Sequence, residues 1–162
     1  MCLFVNKQKC TVAEEDIVVY KYVAKRVRIL EGEHAGTVMH KEIADRAWWK
    51  MLKSEIVWVS PYQTYSYTIY KPGITLIDPM FQDTTDSYDD KGIYGIGYKV
   101  FNGLHTFARS MDAILRANTF ATVDGGSGVL ECVIPKGTRY WTNGDEYCSE
   151  TLEVKELIYE TD

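Results

Sequence analysis

The stretch Val129-Leu130-Glu131-Cys132-Val133-Ile134-Pro135-Lys136-Gly137-Thr138-Arg139-Tyr140-Trp141-Thr142-Asn143-Gly144-Asp145, continued by Cys148-Ser149-Glu150-Thr151-Leu152-Glu153-Val154, decides the fold. Leu130, Cys132 and Ile134 alternate with Val129, Glu131 and Val133, the two-residue period of a strand. Pro135-Lys136-Gly137 closes that strand as a turn or bulge, because proline cannot donate to a ladder. Thr138 to Trp141 then pairs back across Asn143-Gly144, a dipeptide that adopts the positive φ angles of a tight hairpin turn. Thr151 to Ile158 alternates again as a final strand. Three strands joined by two turns predict an antiparallel sheet at the C-terminal end.

Upstream of this block the pattern is similar. Ile17 to Val23 (IVVYKYV), Ile56 to Val59, Tyr65 to Tyr70, Tyr98 to Phe101 and Leu104 to Phe107 are short, β-branched or aromatic, and bounded by turn residues. Thr119 to Val123 reads as a further strand, and Thr11-Val12-Ala13-Glu14 as a capping box opening one helical turn. Two segments carry the 3.6-residue period of an amphipathic helix. In His40 to Lys53, Ile43, Ala47 and Met51 form one row and Ala44, Trp48 and Leu52 the next, so the Trp48-Trp49 pair is expected at core and rim. The second helix is capped by Ser110 and runs from Met111 to about Asn118, with Ala113, Ile114 and Ala117 inward. The sum is two helices and about seven short strands: an α+β fold with a mostly antiparallel twisted sheet. With 162 residues and no linker or repeat, 1–162 is expected to be a single domain.

Composition narrows the function classes. Twelve Tyr and four Trp in a chain of net charge −5 favour a half-wet aromatic surface and disfavour general nucleic-acid binding, which needs a basic footprint. No apolar run approaches the roughly 20 residues of a membrane span, and the N-terminus lacks the apolar core of a signal peptide. No membrane association and a cytoplasmic location are therefore expected. The four cysteines, Cys2, Cys10, Cys132 and Cys148, are then expected as thiols. Their spacing lacks the short pairs of a zinc site. The aspartates of Asp78 to Asp90 do not alternate around a glycine as a calcium loop requires. Gly92, Gly95 and Gly97 do not match a phosphate-binding order. No metal is expected.

The candidate residues for function are few. Trp58, Tyr62 and Tyr65 lie in an aromatic and hydroxyl-rich segment suited to a protein partner or small-molecule ligand. His105 and Thr106 sit between a glycine turn and a capped helix, where backbone amides favour anions. These five are the expected binding residues. A Cys148–His105 nucleophile pair is conceivable, but no sequence signal brings the two together. If the chain is an enzyme, Glu153 and His105 are the candidate catalytic groups.

Short blocks spread over most of the chain carry a resemblance: Val19-Tyr20-Lys21, Ser60-Pro61-Tyr62, Gly103-Leu104-His105-Thr106-Phe107, and Glu131-Cys132-Val133-Ile134-Pro135-Lys136-Gly137-Thr138-Arg139-Tyr140. They resemble a family of small proteins from bacteriophages and gut Bacteroidetes. That likeness implies an accessory protein of the host cytoplasm, with counter-defence as a plausible role, or a virion component; it implies no activity. The same order, with the Ile-Pro-x-Gly-Thr strand and the late acidic Glu150 and Glu153, is more distantly similar to ADP-ribosyltransferases. This second likeness implies NAD as cofactor and transferase or NAD glycohydrolase activity. Lys21 stands where that family has Arg or His. The three-residue spacing of Glu150 and Glu153 turns them to opposite faces of a strand.

Overall fold

Ile17–Ile29 forms one strand of 13 residues, nearly twice the length its apolar start predicts. The computed structural model describes residues 3–61, 68–89 and 97–161. In chain order its strands are β1 (Leu3–Val5), β2 (Thr11–Val12), β3 (Ile17–Ile29), β4 (Val38–Met39), β5 (Ser54–Val59), β6 (Ile69–Tyr70), β7 (Thr75–Ile77), β8 (Tyr88–Asp89), β9 (Gly97–Val100), β10 (Leu104–Phe107), β11 (Ser127–Ile134), β12 (Arg139–Thr142), β13 (Glu146–Ser149) and β14 (Thr151–Glu160). The helices are α1 (Lys41–Ala44) and α2 (Ser110–Asp124), with a 3-10 turn at Ala47–Met51. The α+β class holds. The strand count is roughly double the seven expected, because several pairings are only two residues long and leave no readable alternation in the sequence. No described helix is long and apolar enough to cross a membrane.

All pairings among the described residues are antiparallel. The large sheet runs β2-β12-β13-β10-β3-β11-β14-β7, with β4, β5 and β6 attached through β3 and β5. The C-terminal block is therefore not a simple meander. The β12–β13 hairpin closes across Asn143-Gly144 as predicted, but sits beyond β10, while β11 and β14 pair on the other side of β3.

The length of β3 lets it serve two sets of partners. Its first half pairs with β11 from Ile17 to Ala24, and its second half with β5 from Ala24 to Ile29. Since Ala24 pairs with both Ser127 and Val59, β11 and β5 lie on opposite edges. On the β5 edge, β10 meets β3 only at Phe107 and Tyr20. Between that pair and Ala24, no strand among the described residues pairs with this edge of β3.

Strand alternation distributes the core over both faces of the sheet. One face holds Val19, Val23, Leu130, Cys132, Ile134, Leu152 and Val154 with Tyr70. On the other, α2 lays Ala113 and Ala117 against Tyr22, Phe107 and Val129. Farther along that second face, the small sheet β1-β9-β8 packs Leu3, Val5 and Val100 on Trp141 and Cys148.

Three local expectations change. Thr119 to Val123 continues α2 instead of forming a strand; the helix ends where Gly125 takes a left-handed conformation (φ 68°, ψ 28°). The helix propagates from the turns docked through Ala113 and Ala117, with the Phe120 ring 6.3 Å from Tyr22, and this outweighs the weak helix propensity of those residues. The helix expected over His40 to Lys53 breaks at Arg46, which is extended. The break lets the Trp48 and Trp49 rings stack at 4.0 Å; neighbours on an unbroken α-helix point about 100° apart. Trp49 packs on the core, and Trp48, 47% exposed, forms the rim. Thr11-Val12 is a strand, not a helical turn, because it pairs with Arg139 and Tyr140.

Candidate functional site

Lys21 is the only charged residue between Ile17 and Ala24, and the strand register turns it inward. It pairs with Leu130 across β11 and shares its face with Val19 and Val23. It is 5% exposed. Its ammonium donates to the His105 carbonyl at 2.8 Å and lies 5.3 Å from the centre of the Tyr70 ring. Burial pulls its pKa down to about 8, with the Cys132 and Cys148 thiols pulling the other way. No carboxylate among the described residues forms an ion pair with it.

The groups around Lys21 are held neutral near pH 7. Burial pushes the Cys132 and Cys148 thiols up to about 12, and pushes the Tyr70 phenol up as well. Burial, reinforced by the Lys21 charge, lowers His105 to about 4. His105 and Cys148 pair directly across β10 and β13, with Nε2 3.7 Å from Sγ, and the thiol also lies 3.2 Å from the Asn102 carbonyl oxygen. This is the pairing no sequence signal predicted. A nucleophilic cysteine needs its thiolate; here the thiol and imidazole are both neutral and out of solvent, so the pair is a core contact.

Two hydroxyls share the Lys21 face. The Tyr20–Phe107 pairing places Thr106 beside Lys21, and Thr106 and Ser149 are diagonal neighbours across β10 and β13. Thr106 is 1% exposed and Ser149 fully buried; among the described residues neither Oγ has a hydrogen-bond partner. Buried polar groups without partners are uncommon, and each calls for a physical explanation.

The other expected residues scatter. Trp58 is half-buried, leaning across β3 onto Gly128 with the Lys25 ammonium 5.5 Å from its ring. Tyr62 and Tyr65 lie outside the described residues. His105 and Thr106 are buried, so neither offers its side chain to a large partner. Glu153, on β14, pairs with Lys155 at 2.9 Å. It is separated from His105 by β3 and β11, roughly 14 Å at normal strand spacing. Glu150 lies in the bend before β14 rather than on a strand, and Arg139 holds it through two hydrogen bonds of 2.9 and 2.6 Å. The guanidinium keeps that carboxyl below its usual range. Glu150, Glu153 and His105 therefore do not converge.

An open groove lies elsewhere, between α2 and the β12–β13 turn. Its volume is about 480 Å³, and Phe107, Leu115, Phe120, Arg116 and Glu146 are among its lining residues. Arg109 at its mouth is occupied by Asp112 (2.8 Å) and Asp145 (3.5 Å). Arg116 forms no ion pair among the described residues; its guanidinium lies 5.7 Å from the Phe120 ring. Burial pushes the Glu146 carboxyl up, and Arg116 pulls it the other way. Sequence reasoning missed this groove. Its signal was the exposed Met111 and Leu115, apolar positions four apart on the outer face of α2. Compared with known proteins, the chain matches no family model, no curated protein and no solved structure.

Proposed function

We propose that this protein acts by binding and not by catalysis, as an accessory module that takes its ligand or partner segment in the α2 groove. The observation that carries the reading is the Arg116–Phe120 pair in a groove of about 480 Å³. A guanidinium that forms no ion pair among the described residues, backed by an aromatic ring and flanked by exposed Leu115, suits an anionic group on an apolar body. Bidentate donors give such a site specificity for carboxylate or phosphate. The accessory role follows the resemblance to small phage-type proteins. The transferase reading gains no support from Glu153, whose carboxylate is paired with Lys155 away from any histidine.

The test is amide and side-chain NMR against a panel of aryl carboxylates, nucleotides and acidic peptides. Ligands should shift Leu115, Arg116 and Phe120, and Arg116→Gln should weaken the best of them at least tenfold. Shifts centred on Trp58 instead would move the site back to the aromatic segment. NAD consumption abolished by Glu153→Gln would replace binding with catalysis.

A further inference from the structure

We propose that the interior beside Lys21 is a binding site for a small monovalent anion such as chloride, held by the Lys21 ammonium and the Thr106 and Ser149 hydroxyls. The site is distinct from the α2 groove. A buried ammonium is costly unless it is paired and hydrogen-bonded. Lys21 has three N–H donors, of which one reaches the His105 carbonyl at 2.8 Å. The Tyr70 ring shields one side of the charge without neutralising it.

The titratable groups whose fields reach Lys21 are uncharged in the core: Cys132 and Tyr70 on its own face, and Cys148 and His105, whose side chains lie on the opposite face of the sheet. Asp78, whose field reaches Tyr70 and Cys148, accepts the Met80 amide and makes no ion pair with Lys21. The counter-charge is therefore absent from the side chains described. The donors are in excess instead. Among the described residues, Thr106 Oγ1 and Ser149 Oγ are unpartnered, and both lie on the Lys21 face, on β10 and on the neighbouring β13. Two unpartnered hydroxyls free to turn their O–H groups toward a counter-ion beside one fixed cation are complementary to an anion. A water molecule satisfies hydroxyls equally well but leaves the charge unbalanced.

The test is thermal unfolding of the whole chain in sodium chloride, sodium bromide and sodium gluconate at equal ionic strength, gluconate being too large to enter. Chloride and bromide should raise the melting temperature by roughly 4 °C at tenfold over the dissociation constant. Lys21→Met should remove the difference between salts, and the isosteric Thr106→Val should reduce it. Chloride-35 NMR provides a readout that needs no variant: the parent protein should broaden the chloride line, and bromide should compete the broadening away. Equal melting in all three salts, or a salt difference that persists in Lys21→Met, would overturn the proposal, as would an unbroadened chloride line.

Discussion

His105 and Cys148 face each other across β10 and β13 at 3.7 Å, and burial keeps both uncharged at neutral pH. The arrangement looks like a nucleophile and its base but has the electrostatics of a core. Iodoacetamide at pH 8 should therefore modify Cys10, which is half-buried, well before Cys132 or Cys148. The two core thiols should react only at the rate of global unfolding, since thiolate fraction and access are both withheld. Mass spectrometry after timed quenching checks this. Fast modification of Cys148 in the native protein would restore the nucleophile reading.

His105 also sets an acid limit. Its folded pKa of about 4 lies below its ordinary 6.5, so the unfolded chain binds more protons between those values. Stability is then fully present above pH 6.5 and falls as pH drops toward 4, by about 3 kcal/mol in all. Urea unfolding of the parent and His105→Gln across this window should give a steeper pH slope for the parent.

Lys21 acts with the same sign at the alkaline end. Its pKa is about 8 folded against 10.5 in the open chain, so stability rises as pH climbs between them. Lys21→Met removes a buried charge while leaving the His105 carbonyl without its donor. In gluconate near pH 7 the variant should lie within about 1 kcal/mol of the parent or above it. It should lose the alkaline rise. A loss of several kcal/mol in gluconate would mean that the ammonium is structurally essential.

Gly103 is held by its neighbour. Its φ is +133°, and a Cβ added there would overlap Cys148 Sγ. Gly103→Ala should cost about 2–4 kcal/mol, from backbone strain and overpacking together. Adding Cys148→Ala should recover part of that loss by clearing the clash. Additive losses in a double-mutant cycle would show that the contact is not the cause.

Arg139 and Glu150 form the best-aligned ion pair on the surface, but its exposure limits its worth. Glu150→Gln should change stability by less than about 1 kcal/mol. A larger effect in chemical denaturation would assign Glu150 a structural role that its place in a half-buried bend does not suggest.

The sequence revealed those parts of the fold whose signals are local. The Asn143-Gly144 turn, the alternation of β11 and β14, and the inward Ala113 and Ala117 all follow from residues within one or two turns of each other. The split of β3 between two partners was hidden, because nothing near Ala24 signals that β11 ends there and β5 begins. The same holds for the meeting of His105 with Cys148, 43 residues apart and set by register alone. Lys21 was visible as a lone charge inside IVVYKYV. Which face it took depended on the same register. The α2 groove was illegible because it forms only where the helix passes the β12–β13 turn.

The pairing of β11 with β14 slips twice, between Val129 and Leu130 and between Glu131 and Cys132, so β14 carries an extra residue at each step. Beyond β7, which pairs only with Thr151 to Glu153, the outer side of β14 has no strand among the described residues. Such a margin, carrying Leu157 and Ile158, is a template for runaway self-association into fibres. Each bulge coils the strand more tightly and spoils the even row of amides that another chain would copy. With Lys155, Glu156 and Glu160 along it, the strand should resist seeding. The irregularity that makes β14 look imperfect should keep so extended a sheet from adding further copies along this margin at high concentration.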